Sequence, residues 1–164
     1  MKIAICGHGE HGKDMTANIL AEMCGLRYTA GTSWWARDMV FARMTTLGHA
    51  YGDSAECWGD RRNNRVLWAE IIGELNAEDP VRLYRDCLAE QDLLTGIRWW
   101  HEFDACRTAK IVDKWIFVRR YGWPLDSTCQ ITEADCDHVI DNDGTQVGLS
   151  HVVRDLAIEL GILR

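Results

Sequence analysis

The chain is 164 residues long, 47% hydrophobic and 26% charged, with only two prolines; such values fit one globular domain and exclude a disordered, fibrous or linker-divided chain. Its formal charge of −7 excludes a generally basic nucleic-acid coat or membrane-surface protein, so a polyanionic partner has to be met by arginines clustered on one face. No apolar run approaches the ~20 residues that span a bilayer, and no signal peptide precedes the first apolar run. A soluble cytoplasmic protein with no membrane partner is therefore expected.

Two compositional biases stand out. Eight Trp outnumber four Tyr and three Phe, and fourteen Arg face four Lys. Arg grips phosphate through a planar two-pronged fork where Lys offers a point charge; genomic codon bias is the plain alternative. The seven cysteines are odd in number and never spaced C-x-x-C, which fits reduced, mostly buried thiols and neither a disulfide framework nor a zinc cluster.

In chain order, Lys2–Cys6 is a short apolar run suited to a buried parallel strand. Met15, Ile19, Leu20 and Met23 then recur at helical spacing, with Gly25 as the C-cap. Leu26–Thr29 reads as a short second strand. Ser33 reads as the N-cap of a helix that turns Met39, Val40, Met44 and Leu47 inward. Gly48–Gly59 reads as a loop, and Arg61–Leu75 as a long helix burying Leu67, Trp68, Ile71, Ile72 and Leu75. Asp79-Pro80 starts a helix carrying Leu83, Tyr84, Cys87 and Leu88. Leu93–Ile97 is a strand, followed by a helix with Phe103 and Cys106. Trp115–Val118 and His138–Ile140 are the last two strands, and a closing helix places Leu149, Val152, Val153, Leu156 and Leu160 on one face. The result is a single α/β domain over residues 1–164, with a parallel sheet of about five strands and helices on both faces. In that architecture ligands collect at the carboxyl ends of the strands.

Gly7-His-Gly-Glu-His-Gly-Lys-Asp14 follows the first strand and opens the first helix, at the G-x-x-x-x-G-K spacing of a P-loop NTPase. Glycines let backbone N–H groups turn around phosphate oxygens, and the helix N-terminus adds positive potential. Gly7, His8, Gly9, Glu10, His11, Gly12, Lys13 and Asp14 are thus the expected nucleotide-binding set, with Lys13 reaching the β and γ phosphates of ATP. The Ser or Thr that usually follows the Lys and ligates Mg²⁺ is here Asp14, a hard oxygen donor and the candidate metal ligand.

At Gly-Lys-Asp the chain resembles the phage deoxynucleoside monophosphate kinases of the thymidylate and adenylate kinase group. Gly96-Ile-Arg98 with Glu102 is similar to that family's Asp-x-Arg strand end and the Glu that follows it. Trp115–Arg119 is similar to a strand ending in an adenine-side or phosphate-side Arg, and Asp141-Asn-Asp-Gly-Thr145 to the late strand and its Asn-Asp-Gly-Thr turn. The resemblance implies a nucleotide-kinase fold, ATP and Mg²⁺ as cofactors, Lys13 and Arg98 in catalysis and Arg119 at the nucleotide. Gly96 stands where the family has an Asp, and no lid insertion separates Arg98 from Trp115. The chain also resembles a branch of that family, the phage 5-hydroxymethyluracil DNA kinases, through Cys57-Trp-Gly-Asp-Arg61, Arg65 with Trp68, Asn76-Ala-Glu-Asp-Pro80 with Arg82-Leu83, and Leu94-Thr-Gly-Ile-Arg98. This branch implies an acceptor hydroxymethyl group on a base in DNA, in the cytoplasm of an infected bacterial host.

The acceptor is expected past the second strand. Ser33, Trp34 and Arg37 offer a hydroxyl, a stacking face and a guanidinium there, and Arg61 with Arg65 would share a helical face at i, i+4. A hydroxyl acceptor needs a carboxylate to take its proton, whereas a phosphate acceptor is already ionised. Asp38, Asp53 and Asp60 all fall in this region, with Asp38 nearest a strand end and hence the candidate catalytic base. The expected activity is ATP-dependent transfer to a deoxynucleotide acceptor, a modified base in DNA ahead of a free monophosphate. A P-loop NTPase without an acceptor is the remaining alternative.

Overall fold

The computed structural model describes residues 1–163. Four parallel strands form the sheet: β1 (Ile3–Cys6), β2 (Leu93–Thr95), β3 (Lys114–Arg119) and β4 (His138–Asp141), in the order β2-β1-β3-β4. The helices are α1 (Lys13–Cys24), α2 (Thr32–Trp35), α3 (Arg37–Thr46), α4 (Ser54–Gly59), α5 (Arg65–Leu75), α6 (Arg82–Glu90), α7 (Trp100–Thr108) and α8 (Gln146–Glu159), with 3₁₀ turns at Asp60–Arg62 and Glu133–Asp135.

The two-residue period of the strands divides the core. Ile3 and Ile5 of β1, with Leu93, Ile116, Val118 and Ile140, meet Leu20 of α1 and Leu149 and Val153 of α8 on one face. Ala4 and Cys6, with Leu94, Trp115 and Phe117, face Val40 and Met44 of α3, Trp68 and Ile71 of α5, Tyr84 and Cys87 of α6 and Phe103 of α7 on the other. Helices on both faces are thereby borne out, as are the inward residues expected of α6 and α7. The small Ala4 and Cys6 leave room beside β1 for the large Trp115 and Phe117 of β3. All seven cysteines are free, five of them buried.

Five expectations are corrected. The described residues contain four strands, not about five, because Leu26–Thr29 joins no ladder. The buried Gln91 side chain takes the place of a strand partner there: its Oε1 accepts from the Thr29 and Ala30 N–H groups at 3.1 and 3.5 Å, and its Nε2 donates to the Ala30 carbonyl at 3.1 Å. Gly48–Gly59 is not all loop, since Asp53 caps α4 by accepting from the Glu56 N–H at 2.8 Å. The long helix expected from Arg61 is broken at Asn63 and Asn64, whose side-chain amides donate to Asp60 at 2.6 and 2.7 Å and compete with helical hydrogen bonding. Ser33 does not cap: α2 starts a residue earlier, at Thr32, with no side-chain cap. Met39, Leu47, Leu75 and Val152 are exposed, on the solvent edges of their helices.

The order β2-β1-β3-β4 means the chain leaves β1 toward one side and crosses to the other to form β3. The crevice at such a reversal lies outside the carboxyl ends of β1 and β3, and the glycine-rich loop Gly7–Gly12 occupies it. Gly7 has φ 136° and lies so close to β3 that any Cβ would run into the Val118 carbonyl oxygen. That contact fixes where the loop leaves the sheet.

Phe103 anchors α7 against the sheet, its ring 4.3 Å from that of Trp115 and 5.4 Å from that of Trp100. Phe103→Ala is expected to lower the unfolding free energy by about 3–5 kcal/mol. Val139→Thr, at an exposed strand position, is expected to change it by less than about 0.5 kcal/mol. Urea denaturation of the two variants measures the contrast.

Candidate active site

Two cavities flank the glycine loop. The first, about 370 Å³, opens on the β2 side and is lined by Glu10, Lys13 and Asp14 of the loop and α1, by Ser33 of α2, and by Arg61, Arg62, Arg65 and Arg98. Its inner wall is aromatic, formed by Trp58, Trp68, Trp99 and Tyr84. The acidic chain thus brings four of its arginines to one cleft. Trp68 is 3% exposed and its indole N–H has no partner among the described residues, as is also true of Trp58. The flat apolar faces of these rings suit a planar ligand laid against that wall.

Lys13 begins α1 and folds back over the loop, donating from Nζ to the His8 carbonyl at 2.5 Å. Burial, with Arg98 adding its charge, holds this ammonium below its ordinary range. Asp14 stands one residue on, exposed to the cleft. Its Oδ1 accepts from the Tyr28 hydroxyl at 2.7 Å and from Thr95 Oγ1 at 2.7 Å, which leaves Oδ2 free of hydrogen bonds among the described residues. Burial, followed by the Asp14 charge, pushes the Tyr28 phenol well up, so it stays a neutral donor. A carboxylate with an open oxygen and an adjoining threonine hydroxyl is a hard-oxygen set that fits Mg²⁺. Among the described residues no group of three or more His, Cys, Asp or Glu side chains could hold a metal, so an ion here needs water and phosphate oxygens to complete its shell.

Gly96, where the kinase resemblance calls for an Asp, has φ 104°, and a Cβ there would strike Thr32 Oγ1. An Asp is strained in that backbone, and the hydroxyl of the preceding Thr95 reaches the loop carboxylate instead.

At the deep end Glu102 is 1% exposed, accepting from Tyr84 Oη at 2.5 Å and Asn76 Nδ2 at 2.8 Å. Burial raises its pKa against the pull of these two hydrogen bonds. Glu102 was visible in sequence only as part of a family pattern; its burial against Tyr84 was not.

Other expected residues stand elsewhere. Trp34 packs edge-on against Trp58 with ring centroids 5.0 Å apart, while Arg37 lies 3.9 Å over Trp34 and Arg61 4.0 Å over Trp58. Of this ladder only Trp58 and Arg61 reach the cleft. Arg37 also donates to the Trp34 carbonyl and pairs with Asp38 at 3.6 Å; Asp38, largely exposed on α3, does not line the cleft. Asp60 is consumed by Tyr51, Asn63 and Asn64, and Asp53 by its capping bond.

The second cavity, about 520 Å³, lies on the β3 side and is lined by His8, His11, Phe117, Arg119, Tyr121 and Trp123 among others. Arg119 pairs with both Asp141 and Glu133 and stacks 4.9 Å over Tyr121; Arg120 stacks 4.1 Å over Trp123. Arg119 was expected at the nucleotide; Arg120, Tyr121 and Trp123 beside it were not, although Arg-Tyr-Gly-Trp after a strand-end Arg is a legible signal.

His11 is 2% exposed, and its Nδ1 accepts from the Arg120 N–H at 3.1 Å. Burial, then neighbouring His8, keeps the imidazole below its ordinary value of 6.5. The unfolded chain takes up a proton near that pH and the folded one resists it, so this contribution to stability is complete above it and falls away as the pH drops below. A His11→Gln variant is expected to show a shallower fall in Tm than the parent between about pH 7 and pH 5.5, as read by thermal melts across the interval.

No protein-family model matches the chain, and no curated protein matches it. Among solved structures it is similar to a sugar kinase from Janibacter sp. HTCC2649, crystallised unliganded, with a TM-score of 0.52 and 16% identity over 98% of this chain and 94% of the other. At that identity the likeness is one of fold: an α/β fold with a four-stranded parallel sheet, shared with a kinase structure. No helix among the described residues is long and apolar enough to cross a membrane.

Proposed function

We propose that the protein is a P-loop phosphotransferase that moves the γ-phosphoryl group of ATP to a deoxynucleotide acceptor, foremost the hydroxymethyl group of 5-hydroxymethyluracil in phage DNA. The observation that carries this reading is convergence. Trp58, Arg61, Arg65, Trp68, Gly96 and Arg98, scattered over forty positions of sequence, are among the residues on which the resemblance to the DNA-base kinases rests, and all line the same cleft, on the β2 side of the glycine loop.

In this reading the loop N–H groups and Lys13 cradle the donor phosphates. The adenine lies against Phe117 and His8 on the β3 side of the loop, with Arg119 at its edge. Asp14, with the Thr95 hydroxyl beside it, would hold Mg²⁺, which when bound supplies charge neutralisation at the phosphates. Arg65 and Arg98 face the phosphoryl group in flight. The indole wall accepts the base, whose stacking there, worth about 1–3 kcal/mol, offsets its removal from a helix. Asp38 has no place in the cleft, so a hydroxyl acceptor gives its proton to another carboxylate. Glu10 lines the cleft and, among the described residues, is engaged by Arg65 alone, at 3.6 Å; we assign it that task.

A second reading, a deoxynucleoside monophosphate kinase, draws on the four cleft arginines, since an acceptor phosphate needs cations and no base. With γ-labelled ATP and Mg²⁺, label is expected in DNA containing 5-hydroxymethyluracil. Label confined to free diphosphates would establish the second reading, and label released only as phosphate would mark an NTPase. Lys13→Ala is expected to lower transfer by about 100-fold or more. Glu10→Gln should reduce kcat by about 100-fold with a hydroxyl acceptor, while Asp38→Asn leaves it near the parent value.

A further inference from the structure

Residues 120–131, between β3 and the Glu133–Asp135 turn, lie over the glycine loop and are tied to it by the two histidines of that loop. His11 Nδ1 accepts from the Arg120 N–H and His8 Nδ1 from the Asp126 N–H, each at 3.1 Å. A third tether joins the Gln130 N–H to the Arg98 carbonyl at 2.8 Å. The segment carries Asp126, whose side chain is 4% exposed although it belongs to a surface connection. Its Oδ2 receives Arg98 at 2.6 Å and Arg65 at 3.0 Å, and its Oδ1 receives the Thr128 hydroxyl at 2.6 Å.

The place this carboxylate occupies is informative. A Cβ built on Gly9 would lie 3.0 Å from Asp126 Oδ2 and would run into the Arg65 guanidinium. The carboxylate and its arginine therefore rest directly on the glycine loop, where the loop N–H groups would meet a phosphate. A carboxylate presents two oxygens and one negative charge to a guanidinium fork, as a phosphate does with more oxygens and more charge. Burial alone would favour the neutral acid, but the hydrogen bonds from Thr128 and Arg98 outweigh it and hold Asp126 ionised, well below the usual carboxylate range. A phosphoryl group and this carboxylate cannot share two arginines without strong like-charge repulsion.

We propose that Asp126 is a resident competitor for the phosphoryl seat: it holds Arg65 and Arg98 in the resting protein, and a phosphate-bearing ligand gains both arginines only by displacing it together with segment 120–131. The segment is then a cover whose release is coupled to ligand charge, and the two histidines of the glycine loop are its tethers. This inference rests on the phosphotransferase reading, because it needs a phosphate at the loop. It adds a specificity device: neutral sugars or bases, which cannot evict a carboxylate from two guanidinium groups, leave the cover in place.

Calorimetric titration tests it with the full chain as parent, Asp126→Asn, Asp126→Ala and Lys13→Ala, using MgATP, inorganic tripolyphosphate as the donor probe and inorganic phosphate as the acceptor probe. Both Asp126 variants are expected to bind at least one inorganic probe on the order of tenfold more tightly than the parent, and the probe that gains identifies whose phosphate takes the seat. In the parent protein, amide hydrogen exchange across 120–131 is expected to quicken when that probe saturates. Unchanged or weaker binding in both variants, with MgATP binding still dependent on Lys13, would make Asp126 an orienting residue and overturn the inference while the phosphotransferase reading stands. Unchanged exchange at 120–131 in the saturated parent would overturn it without recourse to any variant. Absence of Lys13-dependent binding to MgATP and to both inorganic probes would remove the phosphotransferase reading, and this inference with it.

Discussion

β1 is only four residues long, yet it is buried on both faces and hydrogen-bonded along both edges, by β2 on one side and β3 on the other. Its carboxyl end therefore has no freedom of position or direction. Gly7 is pressed against the Val118 carbonyl oxygen, so the glycine loop starts from a fixed point between two strands, and α1 is launched from the far end of that loop with Lys13 and Asp14 at its start. Thr95, at the end of β2, takes its height from the register pairing Ile5 with Thr95, and Arg98 follows three residues beyond it. Distances between loop, lysine and arginine follow from backbone pairing in the core, which gives the cleft a rigidity that surface loops alone could not supply.

The electrostatics are organised around the same point. A chain of net charge −7 would repel a polyanion if its charges were evenly spread. Arg61, Arg62, Arg65 and Arg98 instead face one concavity, and the indole wall behind them lowers the local dielectric, which strengthens what they can do there. Lys13 is desolvated in the same surroundings, and the cost is offset by an anion: Asp14 in the protein as it stands, phosphate in the proposed complex.

Much of this was legible in the sequence. Glycine spacing after an apolar run marks a strand, loop and helix because few other residues tolerate the loop backbone, and the structure builds that succession. Apolar residues at helical spacing found the inner faces of α6, α7 and α8. The misreadings share a cause, which is side chains standing in for backbone. Gln91 replaces a strand, Asn63 and Asn64 interrupt a helix, and Asp53 starts one, and in each case a short polar side chain outcompetes a local propensity. The acceptor region went partly astray for a related reason. Sequence could offer Trp34 as a stacking face, but not that it would be occupied by Trp58 and Arg37. Asp126 was not foreseen at all, because a carboxylate in an irregular connection has no periodicity to betray which arginine it will meet.

The Gln91 substitution reaches beyond secondary-structure assignment. β2 is the edge of the sheet, and an edge strand with free N–H and C=O groups invites another chain to add to it. Here the Arg27 carbonyl accepts from the Asp92 and Leu93 N–H groups, and the Asp92 carboxylate receives the Arg27 guanidinium and the Lys2 ammonium. The segment after α1 thus seals that edge without presenting a strand of its own, so it offers no new template outward. At the β2 edge a side-chain amide holds the covering segment where a fifth strand would merely have moved the exposed edge one position further out.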